Sequence, residues 1–158
     1  MRDEQRRAGS PGSATDSRIE SGSGHSAGFK STMNWIAVGI GGALGSVLRY
    51  AIAGVWLTPA SLDFPWGTLA VNVTGSLLLG FLGRYLAPPH AGHAWFLFFT
   101  VGVCGGYTTF STFALDAFTL VERNATIRAV GYVALSVLAS YIAIIVGYSA
   151  ARTLRPPV

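Results

Sequence analysis

The sequence predicts an all-α membrane protein with four transmembrane helices. Only 11% of the 158 residues are charged, whereas roughly a quarter of the residues carry charge in soluble proteins. Four windows are apolar over roughly 20 residues, the length that an α-helix needs to cross the hydrocarbon core of a bilayer. They span residues 35–57, 65–83, 94–115 and 129–151. The short connections between them predict that neighbouring helices pack antiparallel.

The N-terminal segment differs in composition from the rest of the chain. Nine of the eighteen charged residues lie in the first 30, and the first 32 residues hold twelve Gly or Ser and one aromatic residue, Phe29. Such a segment cannot bury enough apolar surface to offset the entropy lost on ordering. We therefore expect a disordered polar tail over residues 1–32, a four-helix transmembrane channel domain over 33–153 and a short tail over 154–158.

Charge and composition argue against several classes of function. The net charge is +4, but the basic residues are scattered and form no basic face interleaved with aromatic residues, so no nucleic-acid partner is expected. The single cysteine, Cys104, forms no intrachain disulfide and is expected to pack as a small residue. No nucleophile and base are spaced for catalysis, so the chain is not expected to be an enzyme.

The orientation in the membrane is weakly specified. Five Lys or Arg residues flank the N-terminal side of the spans and three flank the other side, and an excess of these residues sets the orientation. A chain with so small a bias can insert both ways, which permits an antiparallel, dual-topology homodimer.

Small residues four positions apart also predict close contacts between helices. These pairs are Gly41 with Gly45, Gly42 with Ser46, and Ser76 with Gly80.

The stretch GVCGGYTTFSTF, residues 102–113, is poor material for a continuous helix in lipid. It contains three glycines and four Ser or Thr residues, all of which weaken a helix interior. A break in a spanning helix is tolerated only where protein covers it or where it lines a cavity. Carbonyl groups freed by such a break suit a small, hard cation such as Na⁺. The same glycines fit equally well a close helix crossing with its hydrogen bonds intact.

Two helices carry polar residues at every fourth position. The two stripes are Thr68, Asn72 and Ser76 in the second span and Tyr132, Ser136 and Ser140 in the fourth. Hydroxyl groups in membrane helices usually bond back to their own backbone or join helices. The amide of Asn72, however, has two donor hydrogens and two acceptor sites to satisfy. Two such stripes in one small protein favour a polar track.

Two phenylalanines indicate what could move along that track. Phe110 and Phe113 lie three positions apart on one helix face, and an aromatic ring is positive at its edge. Rings presented edge-on can approach an anion while keeping water away, although both residues also fit an ordinary core or lipid-facing position. Together with the amide and hydroxyl donors, they indicate a small, dehydrated anion.

Three motifs together resemble the signatures of the Fluc, or CrcB, fluoride channels. They are GGALGSVLRY at residues 41–50, GTLAVNVTGSLLLG at 67–80 and GVCGGYTTFSTFALD at 102–116. The resemblance covers residues 34–151 and therefore all four spans. It implies an antiparallel, dual-topology homodimer in the cell membrane, with two fluoride pathways and a structural Na⁺ at its centre. It also implies passive, selective export of fluoride, which lowers fluoride toxicity in the cytoplasm.

The resemblance implies a role for each matching residue. Gly105 and Thr108 would offer backbone carbonyls to Na⁺ at the break in the third helix. Asn72 would donate to fluoride in the pore, and the edges of Phe110 and Phe113 would line it. The remaining residues of the polar track would be Tyr132, Ser136 and Ser140, joined by Ser111 and Thr112.

Two charged residues lie in or beside the predicted spans. Arg49 is expected to pair or to reach the interface, because an isolated charge at the centre of the bilayer is costly. In the resemblance it would attract anions to a vestibule. Asp116 is expected near the wet end of the third span, where the family pattern as readily has Glu, so its role stays open.

Two other functions fit four short spans. A proton-coupled small multidrug exporter would also insert both ways, but it needs a buried carboxylate in the first span, and residues 35–57 contain no Asp or Glu. A membrane scaffold subunit with no transport role is the second alternative. Release of fluoride from liposomes, transport of a cationic dye, or neither would distinguish the three functions.

Overall fold

The structure of the chain, a computed structural model, describes residues 20–56, 64–88 and 93–154. The chain divides into two units, Met1–Thr32 and Met33–Val158. The regular elements of the described residues are all helical. They are α1 (Glu20–Arg49) with a π-helical continuation (Tyr50–Trp56), α2 (Trp66–Tyr85), α3 (His93–Leu97) with a π-helical continuation (Phe98–Cys104), α4 (Gly105–Tyr107), α5 (Phe110–Glu122) and α6 (Thr126–Leu154).

Within the residues that the structure describes, four helical stretches are long and apolar enough to cross a membrane, which confirms the prediction from composition. They are Thr32–Ala53, Trp66–Tyr85, His93–Glu122 and Thr126–Leu154. The third and fourth are longer than the apolar windows in the sequence. A charged residue ends a hydropathy window, but it does not end a helix, because the backbone hydrogen bonds continue past it.

The two predicted tails fall largely outside the described residues. Residues 1–19 and 155–158 are not described, so the disorder expected at the N-terminus and the short tail expected at the C-terminus stay predictions. Helix α1 begins at Glu20, which is inside the N-terminal segment predicted to be disordered, and α6 ends at Leu154. The boundaries proposed for the transmembrane domain likewise stay predictions.

Helices α2 and α6 pack antiparallel through two glycines. Gly80 lies against the backbone of Ile144, and Gly147 lies against the backbone of Leu77 and Phe81. A Cβ atom at either glycine would overlap a backbone carbonyl oxygen of the facing helix. Lipid gives helices no hydrophobic reason to associate, so this close approach supplies the van der Waals contact that holds them together.

Helix α1 approaches the third span in the same way. A Cβ atom added to Gly41 would overlap the Phe98 carbonyl oxygen, one on Gly45 would overlap that of Val103, and one on Gly106 would overlap that of Gly42. The four-residue spacing of glycines in α1 therefore predicts its contact face correctly. The consequence is that α1 fixes the glycine-rich part of the third span from one side.

A small buried cluster lies where α2, α5 and α6 meet. Its members are Leu69, Leu120, Ala129 and Tyr132. The ring of Phe113 packs on Tyr132 with 5.3 Å between the ring centroids. Helix α5 ends at a turn in which Asn124 has φ 59°, a left-handed conformation that Asn tolerates better than most residues. This turn brings α6 back alongside α2 and α5.

Candidate functional site

Thr108 and Thr109 have extended backbone between α4 and α5. Their φ and ψ angles are −77° and 159° for Thr108 and −149° and 120° for Thr109. Thr109 is the N-cap of α5, where its Oγ1 accepts a hydrogen bond from the backbone N–H of Thr112 at 3.2 Å. A Thr side chain in this position satisfies one of the N–H groups that the first turn of a helix leaves without an intrahelical partner.

Asn72 of α2 holds the backbone of Thr109 at both of its polar groups. The Thr109 N–H donates to Asn72 Oδ1 at 2.8 Å, and Asn72 Nδ2 donates to the Thr109 carbonyl at 3.1 Å. The pair fixes the plane of the amide, so the positions of Oδ1 and Nδ2 are defined by the bonds themselves. One of the two N–H groups on Nδ2 is not used in this pair.

These bonds remove the helical donors of two carbonyls. In a continuous α-helix the Thr109 N–H would donate to Gly105 O and the Thr112 N–H to Thr108 O. Here those N–H groups donate to Asn72 Oδ1 and to Thr109 Oγ1 instead. The carbonyls of Gly105 and Thr108 thus lose the partners that helix geometry would give them. They are the two carbonyls that the resemblance to the CrcB family implies as ligands for Na⁺.

The carbonyl of Gly106, the residue after Gly105, accepts hydrogen bonds from two side chains of α1. Gly106 O accepts from Arg49 Nε at 3.1 Å and from Ser46 Oγ at 3.4 Å. Arg49 is half-buried and paired with a backbone dipole, which agrees with the expectation that it pairs. A role for Arg49 in attracting anions to a vestibule stays a prediction.

A cavity of about 270 Å³ lies beside the extended pair. Its lining comes from α2, from the start of α5 and from α6. The lining residues are Asn72, Ser76, Leu79, Thr108, Thr109, Phe110, Phe113, Ser136, Val137 and Ser140. None of these side chains is ionisable, so any ion in the cavity would meet neutral dipoles and ring surfaces only. The structure therefore brings together five residues predicted for the pore, namely Asn72, Phe110, Phe113, Ser136 and Ser140.

Ser136 is the most unusual member of this lining. Its side chain is 4% exposed, and its Oγ makes no hydrogen bond to any part of the chain that the structure describes. The Tyr132 hydroxyl is nearby and donates to Asp116 Oδ2 at 3.4 Å, while its oxygen keeps the capacity to accept a hydrogen bond from Ser136. A buried polar group without a partner costs stability, and such exceptions in native proteins often mark a site for a ligand or a water.

The other predicted residues lie around the cavity. Ser111 is exposed, with its Oγ 3.3 Å from Thr109 Oγ1, and Thr112 Oγ1 accepts from the same hydroxyl at 3.1 Å. Tyr132 is fully buried beneath the cavity lining. Gly105 is exposed, and a Cβ added there would meet open space. The predicted site residues therefore divide into those that line the cavity and those, such as Ser111 and Gly105, that are exposed on the surface of the single chain.

Sequence reasoning missed the capping role of Thr109 and the contacts of Tyr107. The signal for Thr109 was present, since a Thr before a run of helix-forming residues is a typical N-cap. Tyr107 gave no such signal, because its hydroxyl bonds to Thr74 of α2, 33 positions away. Ser76 was placed in the polar stripe but not in the pore, and it lines the cavity.

Comparisons with known proteins agree with this architecture. A family model described as "CrcB-like protein, Camphor Resistance (CrcB)" matches residues 36–148. A fluoride-specific ion channel FluC of Nitrobacter winogradskyi is 48% identical over 129 residues, covering 77% of this chain and 100% of that protein. Proteins of the same name from Rhizobium meliloti and Agrobacterium fabrum are 47% and 44% identical, covering 75% and 77% of this chain and 96% and 98% of each relative.

These matches extend across all four apolar helices and leave out only the ends of the chain. Four such helices and relatives that are ion channels make this a multi-pass protein of the cell membrane. The chain belongs to the CrcB family.

Proposed function

We propose that this protein is a fluoride-selective channel that lets fluoride leave the cytoplasm passively and so lowers its toxicity. The observation that carries the proposal is the cavity between α2, α5 and α6, whose lining has no ionisable side chain and includes the amide of Asn72 and the residues Ser76, Ser136 and Ser140. The matched relatives are named as fluoride-specific ion channels.

Neutral donors suit a small anion that must leave its water. Desolvating a charge is costly unless hydrogen bonds replace the lost hydration. The free N–H of Asn72 and the hydroxyls of Ser76, Ser136 and Ser140 can each donate to an anion passing through the cavity. A fixed positive charge would bind the anion too tightly for rapid release, whereas several weak sites allow it to enter and to leave. Phe110 and Phe113 would complete the path by presenting ring edges.

We place a structural Na⁺ at the carbonyls of Gly105 and Thr108. Both have lost their helical donors, as described above, and carbonyl oxygens are ligands that a hard cation accepts. Within residues 20–56, 64–88 and 93–154, no group of three or more His, Cys, Asp or Glu side chains is placed to hold a metal ion. The proposed ligands are therefore backbone oxygens beside Thr108 and Thr109, whose backbone is extended.

A second copy of the chain, inserted in the opposite orientation, would complete the channel. Phe110 is 80% exposed in the single chain, and Ser111 and Gly105 are exposed beside it. Polar groups at this depth need a protein or water partner, because hydrocarbon supplies none. An antiparallel homodimer would cover this surface, would bring four carbonyls to one Na⁺, and would give each chain's cavity a wall from its partner.

Efflux from liposomes tests the proposed function. Vesicles loaded with fluoride and containing the purified protein should release it when valinomycin carries K⁺ to balance the charge, and chloride-loaded vesicles should not release chloride. Asn72→Asp should slow fluoride efflux by at least about tenfold, because a carboxylate repels the anion and loses the amide donor. Asn124→Asp, the same change at the exposed turn after α5, should leave efflux unchanged.

Two results would contradict the proposal. Fluoride efflux equal to that of protein-free vesicles would exclude a channel, and uptake of ethidium driven by a proton gradient would then support the exporter. Equal release of chloride and fluoride would exclude the selectivity that the neutral lining is proposed to give.

A further inference from the structure

The Tyr107 side chain is buried at the end of α4 and is bonded to α2. It is 7% exposed, and its hydroxyl lies 3.0 Å from Thr74 Oγ1. Thr74 Oγ1 itself donates to the Ala70 carbonyl at 2.7 Å. The single hydroxyl hydrogen of Thr74 is thereby used, so in the Tyr107–Thr74 bond the tyrosine is the donor.

The next residue of α2 forms the seat for the same segment. A Cβ atom on Gly75 would lie 3.0 Å from Tyr107 Cδ1 and would overlap Thr108 Cγ2. Gly75 is buried, and only a residue without a side chain leaves room for both neighbours. The ring of Tyr107 and the methyl group of Thr108 are therefore held directly on the backbone of α2.

Helix α2 thus contacts three consecutive residues of the third span, and it forms hydrogen bonds with the first and the third. Thr74 holds the Tyr107 hydroxyl, Gly75 seats Tyr107 and Thr108, and Asn72 holds both backbone polar groups of Thr109. This segment, residues 107–109, contains Thr108 and begins two positions after Gly105. Its orientation sets the direction of the Thr108 carbonyl, and its Thr109 N–H, bonded to Asn72, is the group that would otherwise bond to the Gly105 carbonyl.

We propose that Tyr107, through its hydrogen bond to Thr74, is a positioning residue for the cation site formed by the Gly105 and Thr108 carbonyls. The inference rests on the Na⁺ site of the proposed function. The hydroxyl bonds to α2 and not to the cation. It acts by limiting rotation of residues 107–109, which carry the Thr108 carbonyl and the Thr109 N–H that would otherwise bond to the Gly105 carbonyl. Ordering ligands before the ion arrives lowers the cost of binding it.

A sodium titration of the full chain in detergent tests this role. The melting temperature is measured in fluoride-free buffer as Na⁺ replaces N-methylglucamine, since an ion that binds only the folded state raises it. Tyr107→Phe and Thr74→Val, which each remove one hydroxyl with little change in shape, should raise the half-saturating Na⁺ concentration about two- to tenfold. The double variant should shift it no further than either single one, because the two changes delete the same bond.

Tyr141→Phe is the matched control. Tyr141 lies on α6 and is 65% exposed, so its change should leave the half-saturating Na⁺ concentration as in the unmodified chain. If Tyr107→Phe and Thr74→Val lower the melting temperature equally at every Na⁺ concentration, the bond only stabilises the fold and the inference is wrong. If the melting temperature of the unmodified chain does not change with Na⁺ concentration, the chain has no such cation site and this inference is wrong. Fluoride efflux, measured separately, would still decide whether the protein is a channel.

Discussion

At the scale of single residues, the site is built from neutral groups that the fold has left free for bonding. Ser136 is buried with its hydroxyl unpartnered, a condition that costs about 1–3 kcal/mol in a protein interior. Asn72 uses its carbonyl oxygen and one N–H on Thr109 and keeps the second N–H for the cavity. In the proposed channel, both residues would donate to the passing anion.

This arrangement predicts that Ser136→Ala separates function from stability. Removing a buried hydroxyl without a partner should leave the melting temperature unchanged or slightly raised, because no hydrogen bond is lost. Fluoride efflux from liposomes should fall about fivefold, because one donor of the path is missing. Ser149→Ala, an exposed serine on the same helix, should change neither quantity. A lower melting temperature with normal efflux would show that Ser136 is a structural residue.

The limits of sequence reasoning are also clearest at the level of residues. The stripes at every fourth position correctly placed Asn72, Ser136 and Ser140 on faces that meet in one cavity, because helical periodicity alone determines a face. The motifs that resembled the CrcB family are confirmed by the family match. Periodicity does not determine which distant backbone group a side chain meets. The bonds of Asn72 to Thr109 and of Arg49 to Gly106 join residues 37 and 57 positions apart, so they appear only once the helices are packed.

At the scale of helices, glycines set how closely α2 can hold its neighbours. Gly147 of α6 lies against the backbone of α2, and Gly75 of α2 seats the extended segment of the third span. The same helix therefore contacts α6 on one side and positions Thr108 and Thr109 on the other. A change in the α2–α6 distance should move the cavity walls, since Asn72 and Ser76 face Ser136 and Ser140 across it.

Two alanine substitutions on α6 test this dependence. Gly147→Ala would place a methyl group onto the Leu77 carbonyl, and such overpacking should destabilise the protein by about 1–3 kcal/mol and slow fluoride efflux. Gly131→Ala meets nothing within 4 Å and should stabilise α6 by up to about 1 kcal/mol through its better helix propensity. Thermal unfolding in detergent measures both effects. Equal stability of the two variants would show that α2 and α6 are farther apart at Gly147 than they are in the structure.

At the scale of the whole molecule, the single chain exposes the surface around the extended pair Thr108 and Thr109. Phe110, Ser111 and Gly105 are exposed together at the extended turn of the third span. Lipid can cover the ring of Phe110 but cannot bond to a hydroxyl or to a freed carbonyl. The weak bias of five basic residues against three is consistent with a chain that supplies its own partner by inserting in both orientations.

Changing the flanking charges should therefore make two complementary variants. Arg123→Ser with Thr153→Lys changes the count of flanking basic residues from five against three to six against two, which strengthens the existing bias. Glu122→Lys and Thr126→Lys with Lys30→Ser, Arg152→Ser and Arg155→Ser change it to two against five, which reverses the bias. Each variant alone should supply one orientation and fail to protect a fluoride-sensitive bacterium, because a parallel pair cannot form the proposed channel. Expressing both together should restore growth in fluoride. Arg123→Lys with Thr153→Ser, which keeps every charge, should protect like the unmodified chain. Protection by either biased variant alone, at matched membrane expression, would show that one orientation suffices and that the antiparallel dimer is wrong.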